Sequence, residues 1–418
     1  MIPRGIKIST GVLAAAGLPA LLLASSASTL AASQPHHQVV LRVWDMNQAN
    51  TPIGKEEHKY IAEFEKAHPG VTVKLTIIPY ADYFHDLTVA VKAGKAPDIA
   101  TVDEIWTPAF AASNAIIPLS SLMKHYHMNS ANYFKPAWQT TLYKGQSYGI
   151  PWSFDVWEQL YWNKSMFAKA NISGPPKTWP QMLADAKKLT HAPNQYGVAV
   201  IGDKGEDTVV VMDSLIYSNG GSIEKNGKVT FDSSKVKKAL TFYKDLSKYA
   251  PPGAASATES TSIGLFSSGK VAMAFDGSWQ QATLEAQAPH LNWGIAVPPA
   301  PTGKTFHGTL GGWNLVVFKQ SKHHGLDMQY IKWMTKPNVE VNVGSLVPAN
   351  KKAGIEFVKK DRRQPSIILN TLNNGYPRPI SPNYLTISTI QQTAMSEIWT
   401  GTPVAKAVAQ ATAQMKQK

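Results

Sequence analysis

The chain contains no cysteine in 418 residues. That excludes disulfides, thiolate metal sites, cysteine nucleophiles and a lipid anchor on a cysteine. Carboxylates are scarce as well: 28 Asp and Glu stand against 41 Lys and Arg, a formal charge of +13. The basic residues are scattered, with only short runs such as KKDRR at 359–363, which describes a solvated basic surface and not a nucleic-acid footprint. Long apolar runs are missing too. The stretch 12–24, VLAAAGLPALLLA, is too short for an ordinary membrane span, and no later segment approaches one. The histidine pairs HYH (125–127) and HH (323–324) lack a third ligand at helical spacing, and GDKGEDT (202–208) falls short of a calcium loop. There is neither a glycine-rich phosphate loop nor a serine nucleophile elbow. No cofactor and no metal are expected.

What is present is enough chain for two domains, with 44% hydrophobic and 17% charged residues, as in a globular protein. Arg4 and Lys7 precede the short apolar stretch, and a Ser/Ala-rich tract follows to Ser33. This is the pattern of an export signal over 1–33, cleaved or kept as an N-terminal anchor, with a soluble body outside the cytoplasm. Beyond it, periods of two and of 3.6 alternate. VVLRVW (39–44), VTVKLTII (71–78) and PDIATVD (97–103) read as strands, separated by helical patterns at 55–67 and 82–94. Strand–helix–strand with short connections implies a parallel sheet, whose ligands sit beyond the carboxyl ends of the strands. Trp44, Asp45, Asp103 and Trp106 lie there, with Gln48 in the first exit loop.

Twelve Trp is a high count, and KGQSYGIPWSFDVWEQLYWNKSMF (144–167) holds three of them with Asp155 among them. Flat rings in such density point to apolar recognition as well as to core. The run belongs to an ordered series: FEKAHPGVTV, APDIATVD, YGIPWSFD, LYWNKSMFAKA, PKTWPQML, FSSGKVAMAFDGSW, WGIAVPPAP, GTLGGWNLVVFKQSK, YPRPISPNY and EIWTGTPVAKAVAQATAQM. In this order the pieces resemble the extracellular solute-binding proteins of the sugar-binding, maltose-binding-like class that serve ABC importers. The resemblance spans nearly the whole chain after the signal.

It implies an α/β, two-lobe periplasmic-binding-protein-like fold with three hinge crossings and a ligand cleft between the lobes. Carried onto this chain, the crossings fall near 148–152, 293–299 and 333–338, giving lobe 1 as 38–148 with 298–333 and lobe 2 as 153–294 with 338–418. The expected function is extracytoplasmic binding of a di- or oligosaccharide by a non-enzymatic monomer, with delivery to the permease subunits of an ABC transporter. A sugar presents apolar C–H faces and a hydroxyl rim, so its site needs flat rings together with charged acceptors.

Trp279 in DGSW and Trp313 in LGGW match stacking positions, with Gly311 and Gly312 leaving room for a ligand. Trp152 is expected to face the ligand. Asp103 resembles a hydroxyl-binding carboxylate but equally suits a helix N-cap. Asp155 suits ligand or hinge backbone, Asp276 suits ligand or a turn, and Arg378 suits a cleft contact or plain surface charge. Trp157 is open between cleft and core, and Tyr161 and Trp162 read as core. Two other readings stay on the table: a glycerol-phosphate-type ligand on the same fold, and a secreted glycoside hydrolase built on paired carboxylates.

Overall fold

A computed structural model describes residues 38–46, 52–225, 227–343 and 346–417. The expected export signal (1–33) and Gln48 lie outside these residues. No helix among them is long and apolar enough to cross a membrane.

The parallel pattern holds in the first third of the chain. β1 (Val39–Asp45) pairs in parallel with β2 (Val71–Ile77) and with β3 (Ile99–Asp103). Helix α1 (Pro52–Ala67) follows β1, and α2 (Tyr80–Lys92) follows β2. In α2, Tyr83 and Leu87 stand four residues apart, so they share a face, and both are fully buried. Each side chain of this kind contributes roughly 1.5–3 kcal/mol on burial.

The sheet does not stay parallel. β4 (Ile150–Val156) and β8 (Thr309–Val317) insert as antiparallel strands, giving the order β9–β4–β8–β3–β1–β2, where β9 is Val347–Pro348. A short strand β10 (Tyr376–Pro377) pairs with the start of β8. The second sheet has three antiparallel strands, β6 (Met273–Asp276), β5 (Gln159–Asn163) and β7 (Trp293–Ala296). Helices α3 (Glu206–Ser218) and α4 (Ser234–Leu246) belong to that half, packed by α8 (Tyr384–Trp399) and α9 (Val404–Met415).

This partition corrects two of the expected boundaries. β4 stays in the first sheet through Val156, so the chain passes between the sheets at 157–158 and not at 148–152. Helices α6 (Lys351–Asp361) and α7 (Pro365–Asn374) pack on β9 and β4, so most of 338–375 sides with the first sheet. The last passage falls between β10 and α8, after residue 377 and not at 333–338. The middle passage lies between Ala296 and Thr309, overlapping the expected one.

Between Trp313 and Asn314 the β4–β8 register slips: Trp313 faces Ser153 while Asn314 faces Pro151. Trp152 is the extra, unopposed residue of a β-bulge, next to a proline that has no N–H to give to the ladder. Bulges re-aim side chains, and here the two indoles part company. Trp313 is half-buried, whereas Trp152 is 3% exposed in the same core cluster as Phe154 and Val347.

Candidate functional site

Residues directly opposed in a ladder share a face of the sheet, and so do alternate residues of one strand. β8 pairs Trp313 with Asp103 of β3, and Gly311 with Asp155 of β4. These four positions therefore face one way, and the site grows from them.

At one end, the Tyr80 hydroxyl donates to Asp103 Oδ2 at 3.1 Å. Its ring is 48% exposed, stacks on Trp106 at 5.6 Å with 13° between planes, and meets Trp313 edge-on at 5.7 Å. Trp106 is buried, so Tyr80 and Trp313 are the accessible surfaces of this aromatic group.

At the other end, a Cβ on Gly311 would lie 1.7 Å from Nε1 of Trp157. The Trp157 indole thus lies over Gly311, on the Trp313 face of the strand. Trp279 meets Trp157 edge-on at 5.5 Å. The Trp279 ring covers Gly277, whose added Cβ would fall 2.0 Å from the ring, and its Nε1 donates to Glu259 Oε1 at 2.9 Å. Trp157 and Trp279 are both half-buried.

Carboxylates lie between and behind these rings. Asp155 is fully buried; it accepts from Ser278 Oγ at 2.5 Å and from the Val156 N–H at 2.8 Å, and burial pushes it up to about 6 against those bonds. Asp276 is buried and accepts from the Gly277 N–H at 2.8 Å; burial and then Glu259 raise it well above the ordinary range. Asp103 accepts from the Ile105 N–H at 3.2 Å, which caps the turn at 104–106, and also from Tyr80. The cap and the bonds to Tyr80 and Arg378 coexist in one side chain. Burial raises Asp103, with Arg378 opposing.

Arg378 is the hub of the polar network, and its side chain is 1% exposed. It donates to Asp103 at 2.9 Å, Glu104 at 3.4 Å and Glu206 at 2.9 Å. Glu206 also accepts from the Tyr384 hydroxyl and from Ser388 at 2.5 Å. Burial opposes the guanidinium charge, but Asp103, Tyr384, Glu104 and Glu206 hold it protonated. Burial also lifts Glu104 to about 8. Arg378 is therefore not plain surface charge, and its donors are largely spent on protein carboxylates.

Several expected placements change. Trp152 faces the core, because the bulge turns it away. Gly311 makes room for Trp157. Gly312 makes room for the neighbouring strand: an added Cβ would lie 2.2 Å from the Ser153 carbonyl oxygen. Both glycines serve close packing of chain on chain and not ligand approach. Trp44 is half-buried and meets Tyr83 edge-on at 6.4 Å, and Tyr83 stacks on Trp106 at 6.0 Å, so a buried ring links Trp44 to the Tyr80 group. Trp279, Trp313, Asp103, Asp155, Asp276 and Arg378 belong to one neighbourhood. Tyr80, Trp157, Glu206 and Glu259 join it. Tyr80 sits just past the carboxyl end of β2, so the strand-end rule applied to IIPY would have found it. Glu259 leaves no comparable sign in the sequence.

Comparison with known proteins follows the geometry. The family described as bacterial extracellular solute-binding protein matches residues 48–340. A protein of Brucella abortus (strain 2308) named as a binding protein is 27% identical over 407 residues, 94% of each chain. The diacetylchitobiose binding protein DasA of Streptomyces coelicolor is 26% identical over 320 residues, 74% of this chain and 72% of its own. A solute-binding protein of an ABC transporter from Thermotoga lettingae, solved with α-D-tagatose bound, superposes with a TM-score of 0.77 at 29% identity, covering 91% of this chain and 99% of that one. The two-sheet architecture is that of these two-lobe binding proteins, and the chain belongs to the bacterial extracellular solute-binding protein family.

Proposed function

We propose that this protein binds a di- or oligosaccharide outside the cytoplasm and hands it to the membrane subunits of an ABC importer. The observation that carries the reading is one sheet face with half-exposed rings at both ends, Tyr80 with Trp313 and Trp157 with Trp279, and charged acceptors between them. Rings cover C–H faces, carboxylates take hydroxyl protons, and neither feature alone suits a sugar. The sugars named for DasA and for the Thermotoga protein support the class. The protein acts as a monomer, its lobes close on the ligand, and no bond is broken.

A thermal-shift panel of maltose, trehalose, diacetylchitobiose, tagatose and xylo-oligosaccharides tests this. A sugar at a hundred times its dissociation constant should stabilise the fold by about 2.7 kcal/mol. No shift with any sugar sinks the reading, and release of cleavage products sinks the non-catalytic part. Glycerol 3-phosphate is the control. The buried Arg378 is already paired with three carboxylates, so a phosphate finds no free cation in this network and should not compete.

A further inference from the structure

Trp279 is held on three sides. The benzene edge of its indole covers Gly277, where an added Cβ would fall 2.0 Å from Cζ3 and 2.1 Å from Cη2. Trp157 meets it edge-on at 5.5 Å, with 82° between planes. On the pyrrole side, Nε1 donates to Glu259 Oε1 at 2.9 Å. Trp157 is seated differently: its Nε1 is buried over Gly311 and has no hydrogen-bond partner. Of these two indoles, Trp279 alone is fixed through its N–H.

Glu259 is the first residue of helix α5 (Glu259–Ser267), where an acid is ordinarily explained by the helix dipole. That helix end already has its cap, because Thr258 Oγ1 accepts from the Thr261 N–H at 3.2 Å. The bonds of Glu259 go elsewhere. The Oε1 that takes Trp279 also accepts from Nε2 of the buried Gln280 at 3.0 Å. Asp276, buried on β6, is hydrogen-bonded to both Glu259 and Gln280. Two carboxyl groups bond to each other only when one holds a proton, and burial assigns that proton to Asp276. Glu259 thus ties the end of β6 and the turn after it into one connected group.

We infer that Glu259 is a positioning residue: by holding Nε1 it fixes the plane of the Trp279 indole, so the ring offers a sugar one orientation, and a face but no N–H. The inference rests on the sugar reading above. A side chain already ordered in the free protein loses less freedom on binding, which for one ring is worth about two- to tenfold in affinity.

The first test needs no ligand. In protein labelled with fluorotryptophan, the fluorine resonance lost in W279F belongs to Trp279. E259A and E259L, neither with an acceptor, should each shift or broaden it, and E259Q, whose amide oxygen still accepts from Nε1, should restore it. Melting curves show that each variant folds. Calorimetry follows, with whichever of maltose, trehalose, diacetylchitobiose, tagatose and the xylo-oligosaccharides stabilises the protein. E259A and E259L should weaken binding by about two- to tenfold, and E259Q by less. In the W279F background, which has no N–H to hold, E259A should cost nothing further. An unmoved Trp279 resonance overturns the inference. So does an affinity loss that persists in W279F, which makes Glu259 a direct ligand contact. If sugars bind E259A and E259L as tightly as the unaltered protein, only this inference falls. If no sugar binds the unaltered protein, the sugar reading falls, and the resonance still decides whether Glu259 holds the ring.

Discussion

Replacing Gly311 by Ala tests how the site is held together. The new Cβ would stand 1.7 Å from Trp157 Nε1 and 2.7 Å from Cδ1 and Cε2. Real carbons do not approach so closely, so the indole must leave its seat or β8 must bend. Overpacking of this kind costs roughly 1–3 kcal/mol. Because Trp279 leans on Trp157 at 5.5 Å, the displacement should also reach the binding surface. W157A alone should cost less than the ~3–5 kcal/mol of a fully buried aromatic truncation, since the ring is half-exposed. In the double variant the methyl meets the space the indole vacated, so the G311A cost should vanish. The two sites would then couple by about 1–3 kcal/mol, against the ~0.3–0.5 kcal/mol within which independent sites add. Urea midpoints at constant m-value measure it. G312A is the contrast: its Cβ would strike the Ser153 carbonyl oxygen at 2.2 Å and Phe154 Cα at 2.6 Å, both backbone, so W157A should not rescue it. Additivity of G311A and W157A would refute the placement of the indole over the strand.

Trp279→Ala and Trp313→Ala should each weaken sugar binding by about 2 kcal/mol, roughly thirtyfold, while unfolding midpoints move little; early unfolding with normal binding would make them core residues. Arg378→Met leaves Asp103, Glu104 and Glu206 without their shared cation and should cost about 3–5 kcal/mol in denaturant, and a loss under about 1 kcal/mol would contradict the hub. Glu158 is buried and pushed up to about 8 by that burial, so the folded state holds a proton that the unfolded chain has lost above about pH 4.5. Its stabilising contribution is complete below that pH and is lost as pH rises toward 8, with a slope of at most about 1.4 kcal/mol per unit; Glu158→Gln should flatten the stability profile over this window. Small-angle scattering should show a smaller radius of gyration on saturation with a bound sugar, and an unchanged radius argues against lobe closure.

The local alternation of strands and helices was legible because each element carries its own period. Val71, Val73 and Leu75 mark β2, and Tyr83 and Leu87 mark α2, without reference to the rest of the chain. Asp103, Trp279 and Trp313 could be singled out because they end strands or follow small residues. Pairings across long sequence separations leave no such trace. Nothing in TLGGWNLVV says that it runs antiparallel to Ile99–Asp103, about two hundred positions earlier. The bulge that separates Trp152 from Trp313 exists only once β4 and β8 are in register. A glycine beside a tryptophan reads the same whether a ligand or another indole fills the space, which is why Gly311 and Gly312 misled. The segment 338–375 sides with the first sheet, and its sequence carries no sign of this because helices do not announce which sheet they cover.

The excess of basic residues and the acidity of the site have one origin in how the charges are distributed. Among the described residues, Arg378 is the only buried cation, while Asp103, Glu104, Asp155, Glu158, Asp213, Asp276 and Glu340 are all buried carboxylates. A chain already short of acids thus spends many of them inside, and its outer surface is more basic than the formal charge suggests. Lys and Arg keep their heads in water readily, because long stems let the charge reach solvent. Short Asp and Glu go inward where backbone N–H groups, hydroxyls and the guanidinium groups of Arg42 and Arg378 donate to them. Burial without full pairing then drives Glu104, Glu158 and Asp207 toward neutral or near-neutral forms at pH 7. Formal charge read from composition therefore describes the solvent-facing shell and not the interior, where acids outnumber bases. A polyanion drawn to the surface by its lysines finds no free cation in the Arg378 network, whose guanidinium is already shared by Asp103, Glu104 and Glu206.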